Sequence, residues 1–209
     1  MKQKNYTYIS WALYTSALII TFIQLGSAME WDPSNVSGYR LFPFFGLLAW
    51  LVMAGHYYAG ALRLKNSNLT KPKNYFKITN TTVLVSLLAH PVILAVEQAK
   101  SGAGIPPESF ISYVGEGLKI AVMLGSLSLA LFLSYEVFSR IKDKPTVKKN
   151  WIFVSLSQSL AMTLIWVHAL RLGNSVGDGW VKLLWLFMGL ALLPCFYIIH
   201  RYEFETKNS

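Results

Sequence analysis

The chain has 209 residues, of which 54% are hydrophobic, 14% aromatic and only 14% charged. Soluble domains carry about 25% charged residues, so this composition leaves too few charges to cover a water-facing surface. The formal net charge of +9 does not indicate nucleic-acid binding, because most of the basic residues lie between long hydrophobic segments.

Six hydrophobic segments follow one another along the chain, at 8–28, 41–62, 78–97, 117–139, 151–171 and 180–200. Each has about the 20 residues that a helix needs to cross a hydrocarbon core, and is far longer than a barrel strand. The first segment resembles a secretory signal, but its hydrophobic run is long and no convincing cleavage site follows. We therefore predict an all-α bundle of six transmembrane helices, forming a single transmembrane domain over 1–209. No internal repeat is visible.

The basic residues are divided unequally by these six segments. Of the 19 Lys and Arg residues, 14 fall on the side that holds both ends of the chain and 5 on the other. By the positive-inside rule, both termini are predicted to be cytoplasmic. We expect the membrane to be a bacterial inner membrane, with lipid headgroups or an acidic cytoplasmic partner as secondary explanations of the basic loops.

Two histidines lie in the outer halves of segments that run from inside to outside. At 1.5 Å rise per residue, His90 lies about 12 Å and His168 about 8 Å from the outer end of its helix, so their depths agree within about one turn. Two imidazoles at matched depth are typical of a b-type haem, whose iron takes one axial nitrogen from each side. Pro91 cannot donate to the carbonyl of Leu87, so we expect a bend there. The alternative for each histidine is a hydrogen-bonded packing role.

The residues around these histidines resemble a known family. A helix with His90 and Pro91 in its outer half is followed, two helices later, by one that opens with Trp151 and ends H-A-L-x-x-G. This pattern is similar to the ferric reductase-like transmembrane domain, whose superfamily includes NADPH oxidases, ferric reductases, STEAP metalloreductases and the haem-binding membrane subunit of the bacterial methionine sulfoxide reductase system. The resemblance covers roughly the second to sixth helices. It implies haem b, with His90 and His168 as axial ligands.

The resemblance also bears on the number of haems. Two-haem members carry a second histidine 13 or 14 residues earlier on each of these helices. Here those positions hold Phe76 or Lys77 and Val154 or Ser155, none of which is a normal haem ligand. The resemblance therefore implies one haem, with FMN, FAD or a quinone as the expected occupant of the inner half.

Several polar residues are candidates for that inner site. His56 lies in the inner half of the second segment, and Ser155 and Gln158 belong to the hydroxyl-rich stretch S-L-S-Q-S of the fifth. Each has an alternative role in hydrogen bonds between helices. His200 begins the last turn of the sixth segment, where an interfacial, snorkelling side chain is expected.

Arg171 follows His168 by three residues, which places both on one helix face. A guanidinium there is suited to pair with a haem propionate. The alternative is that Arg171 anchors the end of its helix in the headgroups.

These patterns predict a membrane cytochrome that passes electrons from a cytoplasmic or membrane donor, through one outer haem, to an acceptor on the outer face. The donor is expected to be a separate reductase protein, a flavin or a quinol, because no segment of the chain reads as a dehydrogenase domain. The protein would then be the haem-binding membrane subunit of an oxidoreductase, either alone or within a larger respiratory complex. The alternative is a non-redox carrier or assembly subunit whose histidines line a polar cavity.

Overall fold

Helices account for the regular secondary structure of the part of the chain that the structure describes. This structure, a computed structural model, describes residues 1–66, 68–172 and 179–208, with the side chains of 206–208 excepted. No strand occurs within those ranges. The α-helices are α1 Gln3–Ala28, α2 Gly38–Leu64, α3 Lys73–Lys100, α4 Glu108–Val114, α5 Lys119–Arg140, α6 Pro145–Lys149, α7 Trp151–Leu172 and α8 Gly179–Asn208.

Six of these helices (α1, α2, α3, α5, α7 and α8) are long and apolar enough to cross a membrane. The predicted all-α architecture with six spanning segments is therefore confirmed, and it indicates an integral membrane protein. Several helices begin before the predicted segments, as α3 does at Lys73. The helical hydrogen bonds continue into polar flanking residues, which hydropathy does not register.

Many large hydrophobic side chains on these helices are exposed. Phe187 is 71% exposed, Leu183 69% and Ile120 63%. An exposed apolar surface of this kind is unfavourable in water and favourable in lipid. A bilayer is therefore the environment that suits these helices.

Two shorter helices occupy connections between the long ones. Helix α4 lies within the 98–116 stretch, where the sequence permits a short surface helix without requiring one. Helix α6 was not predicted; it begins with Pro145 at its first position, where the missing N–H has no helical partner to lose.

The contacts within the chain define two units, Met1–Gly117 and Leu118–Ser209. In the first unit, α2 is the central helix and packs against both α1 and α3. Trp50 and Ala54 of α2 are completely buried. The hydroxyl of Tyr6 on α1 donates to the carbonyl of Ala59 on α2 at 3.2 Å, which joins these helices near the start of α1.

In the second unit, α7 packs against α5 and α8. Ser128 of α5 donates its hydroxyl to the carbonyl of Ala161 on α7 at 2.8 Å. Two indoles link α7 and α8 reciprocally, because Trp166 Nε1 donates to Trp185 O at 3.0 Å and Trp185 Nε1 donates to Trp166 O at 3.2 Å. Such bonds hold helices together where burial of apolar surface provides little driving force.

Candidate functional site

His90 is hydrogen-bonded to the helix that precedes its own. Its Nδ1 lies 2.7 Å from the carbonyl oxygen of Phe42 on α2. A carbonyl oxygen only accepts, so Nδ1 carries the hydrogen and donates it. In the neutral ring the lone pair is then on Nε2, the nitrogen that a metal would bind.

Gly46 lies one turn beyond Phe42 on α2, directly against the imidazole. A Cβ atom at this position would lie 2.7 Å from His90 Nδ1 and 2.9 Å from its Cε1. Both distances are shorter than van der Waals contact. The absence of a side chain at Gly46 therefore lets the imidazole reach the backbone of α2.

His168 has the same arrangement in the second unit. Its Nδ1 lies 2.6 Å from the carbonyl oxygen of Ala121 on α5. Gly125, one turn beyond Ala121, lies against the ring, and a Cβ there would be 2.6 Å from His168 Cε1 and 2.7 Å from Nδ1. Nε2 again carries the lone pair of the neutral ring.

The two arrangements match in their spacing along the chain. The histidine follows its carbonyl partner by 48 residues in the first unit and by 47 in the second. In both units the glycine comes four residues after the carbonyl. The sequence shows no repeat here because little besides the glycine and the histidine is shared between the two helix pairs.

Aromatic side chains surround the backbone partner of His90. The ring of Phe42 packs on the imidazole at 5.3 Å between centroids and meets Tyr113 of α4 edge-on at 5.9 Å. Tyr113 also stacks on Tyr39 at 5.5 Å, and Gln98 donates to the Tyr39 hydroxyl at 3.2 Å. Burial, with Tyr39 close by, raises the pKa of Tyr113. These contacts attach α4 to the same ends of α2 and α3 that hold His90.

Two predictions made for the neighbours of these histidines stay predictions. Helix α3 continues as one element through Pro91, and the expected bend at that residue is not tested. Arg171 is exposed in the last turn of α7. Its position allows either the propionate pairing or the headgroup anchoring that the sequence suggests.

His56 lies within the first unit and contacts α3. Its Nε2 lies 2.6 Å from the hydroxyl of Thr79, and that hydroxyl donates to the carbonyl of Tyr75 at 2.8 Å. The hydroxyl therefore accepts from His56 Nε2–H. Phe76, at one of the positions where two-haem relatives carry the inner histidine, packs on the imidazole at 5.2 Å. A hydrogen-bonded packing role accounts for these contacts.

Buried and half-buried polar groups gather where α7 begins and α8 ends. Ser159 Oγ lies 2.9 Å from His200 Nε2, and His200 Nδ1 lies 3.4 Å from Glu203 Oε2. Trp151 Nε1 donates to Glu203 Oε1 at 3.1 Å, and the Ser155 hydroxyl also hydrogen-bonds this carboxylate. We call these five residues the inner polar cluster.

The inner polar cluster contains one residue that was predicted from the sequence for an inner site. It also contains residues that were not predicted for one. Ser155 belongs to it, and Gln158, three residues further along α7, is half-buried. The side chain of His200, which the sequence predicted to snorkel to the interface, is only 16% exposed and bonds to α7. Glu203 was not predicted. Its spacing of three residues from His200 could have indicated a shared helix face.

No protein-family model, no curated protein and no solved structure matches the chain.

Proposed function

We propose that the protein is a membrane b-type cytochrome that carries electrons across the bilayer through one haem, which Nε2 of His90 and of His168 would hold. The observation that carries the proposal is the matched placement of these two histidines. Each donates Nδ1–H to a main-chain carbonyl of the preceding long helix, against a glycine one turn away.

This hydrogen bonding suits metal ligation. Histidines that bind metals usually donate their other N–H to a carbonyl or carboxylate, which sets the tautomer and the ring orientation. A haem held by two imidazoles would suit electron transfer better than oxygen binding. The resemblance to the ferric reductase-like domain leads to the same two ligands. The haem would supply a one-electron iron couple.

The distribution of charge supports an orientation in the membrane. Because 14 of the 19 Lys and Arg residues lie on the side of the chain ends, we assign that side to the cytoplasm. The membrane we propose is a bacterial inner membrane. A quinol, a flavin or a separate reductase would deliver electrons at the inner half, and an acceptor would receive them at the outer face. Arg171, near the outer end of α7, would pair with a haem propionate.

The test is the absorption spectrum of the purified protein before and after dithionite. We expect a reduced b-type spectrum with about one haem per chain, and its loss in His90→Gln and in His168→Gln. Glutamine retains an N–H that can donate to the carbonyl but cannot replace the ligand, so these variants should fold. His56→Gln is the matched control, because His56 is also an intramembrane histidine bonded to a neighbouring helix; it should keep its haem.

A folded wild-type protein without a Soret band after haem supplementation would contradict the proposal. In that case a non-redox carrier or an assembly subunit would become the better explanation. Loss of haem in only one of the two ligand variants would contradict the bis-histidine assignment.

A further inference from the structure

We propose that Ser159, His200 and Glu203 form a proton-transfer chain that accepts the protons of a quinol as its electrons pass to the haem. The proposal rests on the proposed function for the identity of the electron acceptor. It goes beyond that function by assigning a proton acceptor and the class of donor that needs one.

The hydrogen bonds of this proton-transfer chain have a defined direction. A carboxylate only accepts, so His200 Nδ1 donates to Glu203. In the neutral ring Nε2 then accepts from the Ser159 hydroxyl. Donation therefore runs from Ser159 to His200 and from His200 to Glu203, and a proton that enters at Ser159 can be passed to Nε2.

Glu203 accepts hydrogen bonds from both α7 and α8. Trp151 and Ser155 on α7 donate to this carboxylate in addition to His200 on α8, and hydrogen bonds of this kind stabilise a negative charge. A carboxylate beside the imidazole would stabilise the imidazolium that forms when a proton arrives. From α5, Tyr135 packs on Trp151 at 5.9 Å between ring centroids. Chains of carboxylate and histidine are the usual proton relays inside membranes.

The proposed step balances for a quinol. Oxidation of one quinol to quinone breaks two O–H bonds and releases two electrons and two protons. The haem, when bound, would take up these electrons one at a time. For each electron that leaves the quinol, one proton passes to Ser159 Oγ while the serine proton moves to His200 Nε2. The imidazolium returns its proton to water at the nearby helix ends before the second transfer. Ser159 and the proposed ligand His168 are nine residues apart on α7, about 13 Å along its axis.

A serine, a histidine and a carboxylate are hydrogen-bonded in the same order in serine hydrolases, where the serine is a nucleophile. Acyl transfer also requires donors aimed at a developing oxyanion, commonly backbone N–H groups. Ser159 lies within the continuous helix α7, where backbone N–H groups bond to carbonyls four residues earlier. The geometry therefore favours proton transfer over acyl transfer.

The kinetic test measures anaerobic reduction of the haem by menadiol, a small naphthoquinol, and separately by dithionite. In Glu203→Gln and His200→Gln we expect the menadiol rate to fall by about a hundredfold, the lower end of what a positioned proton acceptor contributes. The dithionite rate should not change, because dithionite delivers electrons without a hydroxyl proton. Glu205→Gln is the matched control: Glu205 lies on the same helix, exposed and paired with Arg201, and its substitution should affect neither rate.

Three kinetic outcomes would overturn the proposal. Equal menadiol rates in the wild type and both variants would exclude these three residues as a proton acceptor. If the rate of haem reduction fell equally with menadiol and with dithionite, the three residues would be only a structural link between α7 and α8. A third arm uses reduced FMN; a loss confined to that reductant would overturn the assignment of a quinol. Absence of haem from the wild type would instead contradict the proposed function, so the two failures are distinguishable.

A second measurement is independent of haem. The ¹⁵N chemical shifts of the labelled His200 ring in haem-free protein should show Nδ1 protonated and Nε2 accepting, with loss of this preference in Glu203→Ala. A ring protonated at Nε2 in the wild type would contradict the proposed direction of the chain. Labelling of Ser159 by a fluorophosphonate would also overturn the assignment, because it would show a nucleophile.

Discussion

His90 and His168 show how a polar side chain is accommodated in an apolar helix bundle. Each imidazole donates one N–H to a carbonyl of a neighbouring helix, which offsets part of the cost of removing it from water. Each imidazole lies so close to the backbone of the neighbouring helix that a glycine is required beside the ring. The sequence predicted the two histidines as a pair, but it did not predict their carbonyl partners or the glycines that admit them.

Substitution of these glycines should therefore disturb the ligands. We expect Gly46→Ala and Gly125→Ala to lower the haem content and to reduce the free energy of unfolding by about 1 to 3 kcal/mol, the usual effect of overpacking. The reason is that the new Cβ would lie 2.6 to 2.7 Å from imidazole atoms. The haem to protein ratio and denaturation in detergent measure the two effects.

Gly55→Ala is the control for this prediction. A Cβ there would lie 3.5 Å from Leu13 Cβ, an ordinary contact, so haem content and stability should stay close to wild type. Normal haem binding by both Gly46→Ala and Gly125→Ala would show that the rings have room to move, contrary to the geometry.

At the level of helices, the order and number of spanning segments were predictable, and their partners were not. Hydropathy identifies each segment because crossing lipid requires a contiguous apolar run. It does not show that α7 packs against both α5 and α8, nor that Ser159 and Glu203 share a histidine. Those contacts depend on which helix faces meet, and the small polar residues that mark such faces are also common elsewhere on the helices.

The hydrogen bond between α5 and α7 provides a test of this packing. We expect Ser128→Ala to lower the free energy of unfolding by about 0.5 to 1.5 kcal/mol, within the range measured for hydrogen bonds between membrane helices. Ser128 is completely buried, and its hydroxyl bonds to Ala161 across the helix interface. Denaturant titration in mixed micelles measures the change.

Ser134→Ala is the matched control on the same helix. Its exposed hydroxyl bonds to Ala130 within α5, so its loss should change the free energy of unfolding by much less. Equal effects of the two substitutions would show that the bond to Ala161 contributes little to holding α5 and α7 together.

For the whole molecule, the charge distribution predicts the orientation in the membrane. We expect a cysteine at Ser101, in a Cys195→Ala background, to react with a membrane-impermeant maleimide added to intact cells. A cysteine at Lys148, in the basic connection between α5 and α7, should react only after the membrane is opened. Both positions are exposed, so accessibility within the protein does not confound the comparison; the reverse pattern would invert the proposed direction of electron transfer.

Hydropathy and charge along the chain were sufficient to predict six membrane-spanning helices and an orientation, and the two matched histidines suggested a haem. These properties are readable because each depends on residues that are contiguous or regularly spaced. The tautomers of His90 and His168, the glycines against their rings and the partnership of His200 with Glu203 and Ser159 required the folded chain. Each depends on contacts set by packing, which brings together residues as distant in the sequence as Phe42 and His90, 48 positions apart.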